Sequence, residues 1–278
     1  MTWVIGAPNL SIAAMISDTR ISTRVGEKWV PISEFRIRKI HPVGPFTVAG
    51  FAGEVVSGFR SIRLLSALHE QHDWRAIDRL NFPVTVDAFV DAANAMQGTK
   101  HELTGVQVMI LSLCESWDQY QSGDTLTEEW GPSRGCCAVV TINEQGQAGR
   151  RFNFSPWQLA SIGSGDEVHA ATLATLNGNP NSLVGARAFN LSMSGGAAWE
   201  MVEQITGAVR AMSQSGEATD LAKTVNDRLH FAVITDEGVA WNANAWLADH
   251  RDVEVATTLE EYERLRIKAG NAASAYRA

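Results

Sequence analysis

Thr2-Trp3-Val4-Ile5-Gly6-Ala7-Pro8-Asn9-Leu10-Ser11-Ile12-Ala13-Ala14-Met15-Ile16-Ser17-Asp18-Thr19-Arg20 is the stretch from which the architecture can be worked out. Two short apolar runs, Trp3 to Ile5 and Ile12 to Ile16, flank Ala7-Pro8-Asn9, and this predicts a tight β-hairpin. At its head stands Met1-Thr2. Removal of the initiator methionine would leave a threonine carrying both a hydroxyl and a free α-amine. The hydroxyl is a weak nucleophile that needs an adjacent base. An unperturbed α-amine has a pKa of about 7.7–8.0, near enough to neutrality to take the proton. One residue can thus supply nucleophile and base, although a Met-Thr start alone says little.

Working outward, Arg36 to Ile40 and Phe46 to Ala49 read as a second strand pair, turned by Pro42, Gly44 and Pro45. After Gly50 and Gly53 the period becomes helical, with Val55, Phe59, Ile62 and Leu65 on one face. Pro83 precedes a further helical region expected from about Val86 toward Cys114. Residues 116–135 are polar, with Gly123, Gly131 and Pro132, and are expected to form a surface loop or insertion. Strands are expected at Cys136 to Ile142 and Gly149 to Phe152, around the turn Asn143 to Gly146. Ser161 to Gly165 should lead into a helix, and Val202, Ile205, Val209 and Met212 mark another. His230 to Ile234 and Val239 to Trp241 form a late hairpin, and Thr258 to Lys268 a charged, exposed C-terminal helix. Runs of strands alternating with runs of helices fit helices layered on antiparallel sheets better than βαβ units.

The 278 residues, 45% of them hydrophobic, suffice for one large core, and a single domain is expected over 1–278 with an extension from about 242. No run approaches the ~20 apolar residues of a membrane span, and no basic-then-apolar leader is seen. A net charge of −8 argues against a nucleic-acid surface. Cys114, Cys136 and Cys137 have no metal-ligand spacing and read as buried small hydrophobes in a reducing compartment, so the cytoplasm is expected.

The series Thr2, Ser17-Asp18-Thr19-Arg20, Arg38-Lys39-Ile40, Ala49-Gly50-Phe51-Ala52-Gly53 and Ile162-Gly163-Ser164-Gly165, in this order, resembles the N-terminal nucleophile hydrolases of the proteasome β-subunit type, the bacterial HslV-type threonine peptidases above all. The likeness covers roughly residues 2–70 and 136–240. It implies an α+β fold, a four-layer αββα sandwich of two antiparallel sheets covered by helices. It implies Thr2 as nucleophile with its own amine as base, and Lys39 as the cation that lowers their pKa values. Asp18 would hold Lys39, Gly53 would aim an N–H at the oxyanion, Ser164 would orient the amine, and Asp220 would be a second acid. Gly50 would leave room for the substrate backbone, and Ser22 would join it in binding substrate. The implied activity is threonine endopeptidase cleavage of peptides or unfolded proteins, in stacked homo-oligomeric rings. A separate ATPase unfoldase could serve as partner, and no cofactor or metal is needed.

Other readings stay open. Asp18-Thr19 could be an ordinary strand end, Arg36 to Lys39 a basic strand edge, and the Ala-Gly run a packing device. Ser164 with Glu167 matches a capping box. Gly163-Ser164-Gly165 could cradle phosphate, but no lysine follows in P-loop spacing. The segment between Asp18 and Lys39 is longer than the family pattern by about five residues, so Lys28 or Arg38 could instead be the local cation. At the level of function, a non-catalytic ring or scaffold protein and a hydrolase of small amides are the alternatives.

Overall fold

The computed structural model describes residues 3–8, 12–25, 28–72, 82–122, 125–153, 160–163, 229–235, 237–241 and 253–275. The opening hairpin forms as expected, with β1 (Trp3–Pro8) antiparallel to β2 (Ala13–Asp18) in the register Val4↔Ser17 to Pro8↔Ala13. Both strands are buried at every position, so both faces of this hairpin are covered. That is why their sequence is near-continuously apolar and does not alternate. Together with β11 (Ala160–Gly163), β12 (Leu229–Thr235) and β13 (Gly238–Trp241) they make a five-stranded antiparallel sheet in the order β11-β1-β2-β12-β13.

A second antiparallel sheet has the order β10-β9-β8-β7-β6. It contains β6 (Ile40–Gly44), β7 (Thr47–Gly53), β8 (Val106–Ser122), β9 (Thr125–Ile142) and β10 (Ala148–Asn153). Alternation along its strands sends two sets of side chains opposite ways. Val48, Ala52, Met109, Leu111 and Cys137 meet Val4, Ala13, Met15, Ile162 and Ala232 of the first sheet in one buried cluster. Ala49, Phe51, Val108, Ile110, Val140 and Ile142 face the other side, into a cluster shared with the helices. Those helices are α1 (Val55–His72), α2 (Phe82–Ala95) and α3 (Leu259–Ala275). The described residues therefore form a mixed α/β structure of three layers: helices, sheet and sheet.

Several expectations need correction. Helical character does not run from Val86 to Cys114: α2 stops at Ala95, and from Val106 the chain is β8. Val106 to Leu113 is a short apolar run buried between two layers, and periodicity cannot distinguish such a strand from a buried helix. Residues 116–122 and 125–135 are no loop; they lengthen β8 and β9, whose ladder continues to Ser122↔Thr125. Beyond Leu113 and Cys136 these two strands pair only with each other among the described residues. Their polar composition, with no sustained alternation, hid the strands.

Arg36 to Ile40 is not one strand either. β5 (Phe35–Ile37) pairs in parallel with β14 (Glu254–Ala256), the chain breaks step at Arg38-Lys39, and β6 then pairs with β7. The long connection between Asp18 and Lys39 is accommodated as a small hairpin, β3 (Ser22–Val25) with β4 (Lys28–Pro31), closed by the bond from Ile32 N to the Ile21 carbonyl at 3.0 Å. Nor is the C-terminal helix a solvated appendage. Tyr262 and Leu265, three apart, are buried, and the Tyr262 ring lies 6.0 Å from Phe35 and 6.2 Å from Phe59. The helices expected after Gly165 and around Val202 to Met212 lie outside the described residues.

Candidate functional site

Asp18 is the last residue of β2, and Lys39 sits at the break between β5 and β6. Backbone bonds fix that break from three sides. Ile37 N donates to the Thr19 carbonyl (3.1 Å), Arg38 N to the Ala256 carbonyl (2.8 Å), and Phe51 N to the Lys39 carbonyl (3.1 Å). So held, Lys39 turns its side chain wholly inward, and Nζ donates to Asp18 Oδ1 at 2.7 Å, both side chains being 0% exposed. Nζ also donates to the Arg20 carbonyl at 2.5 Å. Two of three ammonium protons are thus engaged, and the third has no acceptor among the described residues.

The carboxylate is more fully used. Asp18 Oδ1 accepts from the backbone N–H of Trp3 (3.1 Å) as well as from Lys39, and Oδ2 accepts from Arg20 N (3.1 Å). The last bond is an Asx turn, a side chain holding the amide two residues on. Asp18 therefore orients the groups around it through three accepted hydrogen bonds. Burial pushes the Lys39 ammonium below its ordinary pKa range, and Asp18 opposes that push without cancelling it.

The other expected residues fall in different places. Gly50 lies between the sheets, and a Cβ there would stand 2.8 Å from Met15 Sδ and 2.9 Å from Val4 Cγ1. Met15 and Val4 of the opposite sheet thus pack closely on its backbone. Gly53 ends β7 with φ of 107°, exposed, and a Cβ would strike the Gly105 carbonyl. Glu54 follows as the N-cap of α1, its Oε2 accepting from Ser57 N at 2.6 Å. Ser22 opens β3 opposite Pro31, half-buried, with no hydrogen bond to the Asp18–Lys39 pair among the described residues. Lys28 lies in β4, opposite Val25, and Arg38 is half-buried, so it is Lys39 that pairs with Asp18. Thr2, Ser164 and Asp220 lie outside the described residues. The strands leading to the first two are adjacent: Trp3 pairs with Gly163, whose N–H donates to Gln107 Oε1 of the second sheet at 2.8 Å.

Some neighbours of the pair were given no role from sequence. Arg20 serves the pair through its backbone N–H and carbonyl, and its guanidinium charge also disfavours the charged form of Lys39; the Asp-x-Arg turn was the available signal. Ser17 and His230 lie opposite each other between the sheets, one position from Asp18, at 0% and 2% exposure. A histidine in an otherwise apolar strand was the available sign. Among the described residues no three His, Cys, Asp or Glu side chains gather as a metal site, and no helix is long and apolar enough to cross a membrane.

A comparison with models of known protein families found no match to this sequence. A comparison with curated proteins found none at a significant level either.

Proposed function

We propose that the chain is an N-terminal threonine hydrolase, of peptidase type, in a four-layer αββα sandwich of the proteasome-like kind. One observation carries the reading: Asp18 Oδ1 accepts at once from the buried Lys39 ammonium and from the N–H of Trp3. Bond lengths alone tether the amine of Thr2 within about 4 Å of that nitrogen. The uncommitted proton of Lys39 is then the donor available to the threonine. A cation so close favours the neutral amine and the alkoxide over their protonated forms.

In this mechanism Thr2 Oγ attacks the substrate carbonyl as its proton passes to the terminal amine. The acyl ester forms, the amine product leaves with that proton, and water activated by the same amine releases the acid. Gly53 is the proposed amide donor to the oxyanion, at the exposed end of β7. Ser164, next after the Gly163 that pairs with Trp3, is the residue proposed to orient the amine. Burial of β1 and β2 on both faces supports a further layer over the first sheet. Peptide or unfolded-protein substrates, homo-oligomeric rings and a separate ATPase unfoldase belong to the same proposal. So does the role of Asp220.

The test combines intact mass with hydrolysis of a fluorogenic peptide panel alongside small amides. Mature protein should lack one methionine, Thr2→Ala should abolish turnover with its assembly unchanged, and Thr2→Ser should retain part of it. Full hydrolysis by Thr2→Ala would overturn the mechanism. Turnover of small amides alone would favour the amidase reading.

A further inference from the structure

A cavity of about 780 Å³ opens between α1, the turn that follows α2 and the start of α3. It lies on the helix side of the second sheet and belongs to no step described above. Its volume falls within the roughly 300–1,000 Å³ usual for small-molecule sites. The inner lining is apolar, with Phe59 and Ile62 buried, 5% and 8% exposed, and Met96 half-buried. Cations stand at the outer part: Arg63, in an exposed ion pair with Glu260 at 3.5 Å, and Arg60, which has no ionic partner among the described residues. His101, exposed, adds a ring nitrogen at the same rim.

His41 supplies part of the wall, stacked on Phe51 at 6.3 Å and edge-on to Phe59 at 5.8 Å. Its Nε2 donates to the Arg38 carbonyl at 3.0 Å, which leaves Nδ1 as the ring's acceptor. Thr257, also in the lining, directly follows Ala256, whose carbonyl holds Arg38 N. Residue 38 is therefore tied to both walls, through its carbonyl to one and its amide to the other. Lys39 is the next residue.

We propose that this cavity binds a small amphipathic organic carboxylate, its apolar body among Phe59, Ile62 and Met96 and its charge on Arg60 and Arg63. A neutral apolar ligand would leave Arg60 without a counter-charge at the rim. A cationic ligand would face them, with Glu260 already paired. Because the walls share residue 38, an occupant that bridges them stiffens the segment 37–41.

Sodium decanoate, used below its micelle concentration, is a suitable probe for calorimetric titration of the full chain, with decyltrimethylammonium as the charge-reversed control. One decanoate per chain is expected, with no saturable binding of the cation. Arg60→Gln/Arg63→Gln should weaken decanoate at least about tenfold, the scale of one charge-assisted hydrogen bond. Ala67→Trp should fill the cavity and abolish binding; since it alters a half-buried wall, the arginine variant decides if it fails to fold. Bound decanoate should slow hydrogen exchange at the amides of residues 37–41. Equal affinity for the cation, unchanged affinity in the arginine variant, or unaltered exchange in that segment would overturn the proposal. None of these readouts requires hydrolytic activity.

Discussion

Replacing both members of the buried pair should cost far less than the two single replacements added together. Asp18→Asn leaves the Lys39 ammonium in a site with 0% exposure and no counter-charge, and Lys39→Met does the same to the carboxylate. Breaking a buried pair in this way costs about 3–5 kcal/mol. Two independent losses of that size would total about 6–10 kcal/mol, most of the usual 5–15 kcal/mol stability of a domain. The double variant buries no charge. The introduced asparagine can still accept from Trp3 N through its amide oxygen, while its NH2 meets the Arg20 N–H that Oδ2 now satisfies. The Arg20 carbonyl also loses the Lys39 donor, and two unmet groups at about 1–3 kcal/mol each put the double variant's loss at about 2–6 kcal/mol. At mid-range the coupling is then about 4 kcal/mol, beyond the upper end of most measured pairwise terms. Urea denaturation of the four proteins measures it, provided the m values agree. A single variant that does not fold beside a double variant that does would demonstrate the same coupling. Additivity within about 0.5 kcal/mol would show that the two charges do not depend on each other.

Three further outcomes are expected. His41, 8% exposed, has its pKa lowered by burial from 6.5 to about 4, so the unfolded chain binds the extra proton between those values. Its share of stability is intact above pH 6.5 and falls by about 2 kcal/mol between pH 7 and 5, a loss that His41→Phe should remove from urea titrations at the two pH values. Gly50→Ala should cost about 1–3 kcal/mol, since Met15 and Val4 occupy the space. Gly149→Ala, with nothing within 4 Å of the added carbon, should change thermal stability little. The Cys137 thiol, buried and pushed up to about 12 chiefly by desolvation, should resist iodoacetamide at pH 8 in the native protein and react once it is unfolded, as peptide mapping would show.

How much was legible beforehand follows from what each pattern encodes. The β1–β2 hairpin, the apolar stripe of α1 and the late hairpin β12–β13 were readable because local period and turn residues specify them. Val106 to Leu113 misled, because burial on both faces erases the alternation that separates strand from helix. The polar run of residues 116–135 misled for the opposite reason: its glycines, proline and polar residues have the composition of a loop. Arg36 to Ile40 looked continuous, since nothing local shows that β5 pairs with a strand more than 200 residues away.

Composition and local order alone established which chemical groups this chain possesses: a threonine at position 2, an aspartate closing the second strand, a lysine twenty-one positions later. Only tertiary packing selected Lys39 over its basic neighbours. Three backbone hydrogen bonds from distant segments hold residues 37–39 so that this one ammonium points inward, where it loses water and must take Asp18 as its counter-charge. Selection of that kind depends on contacts between segments far apart along the chain, and no spacing between letters expresses it.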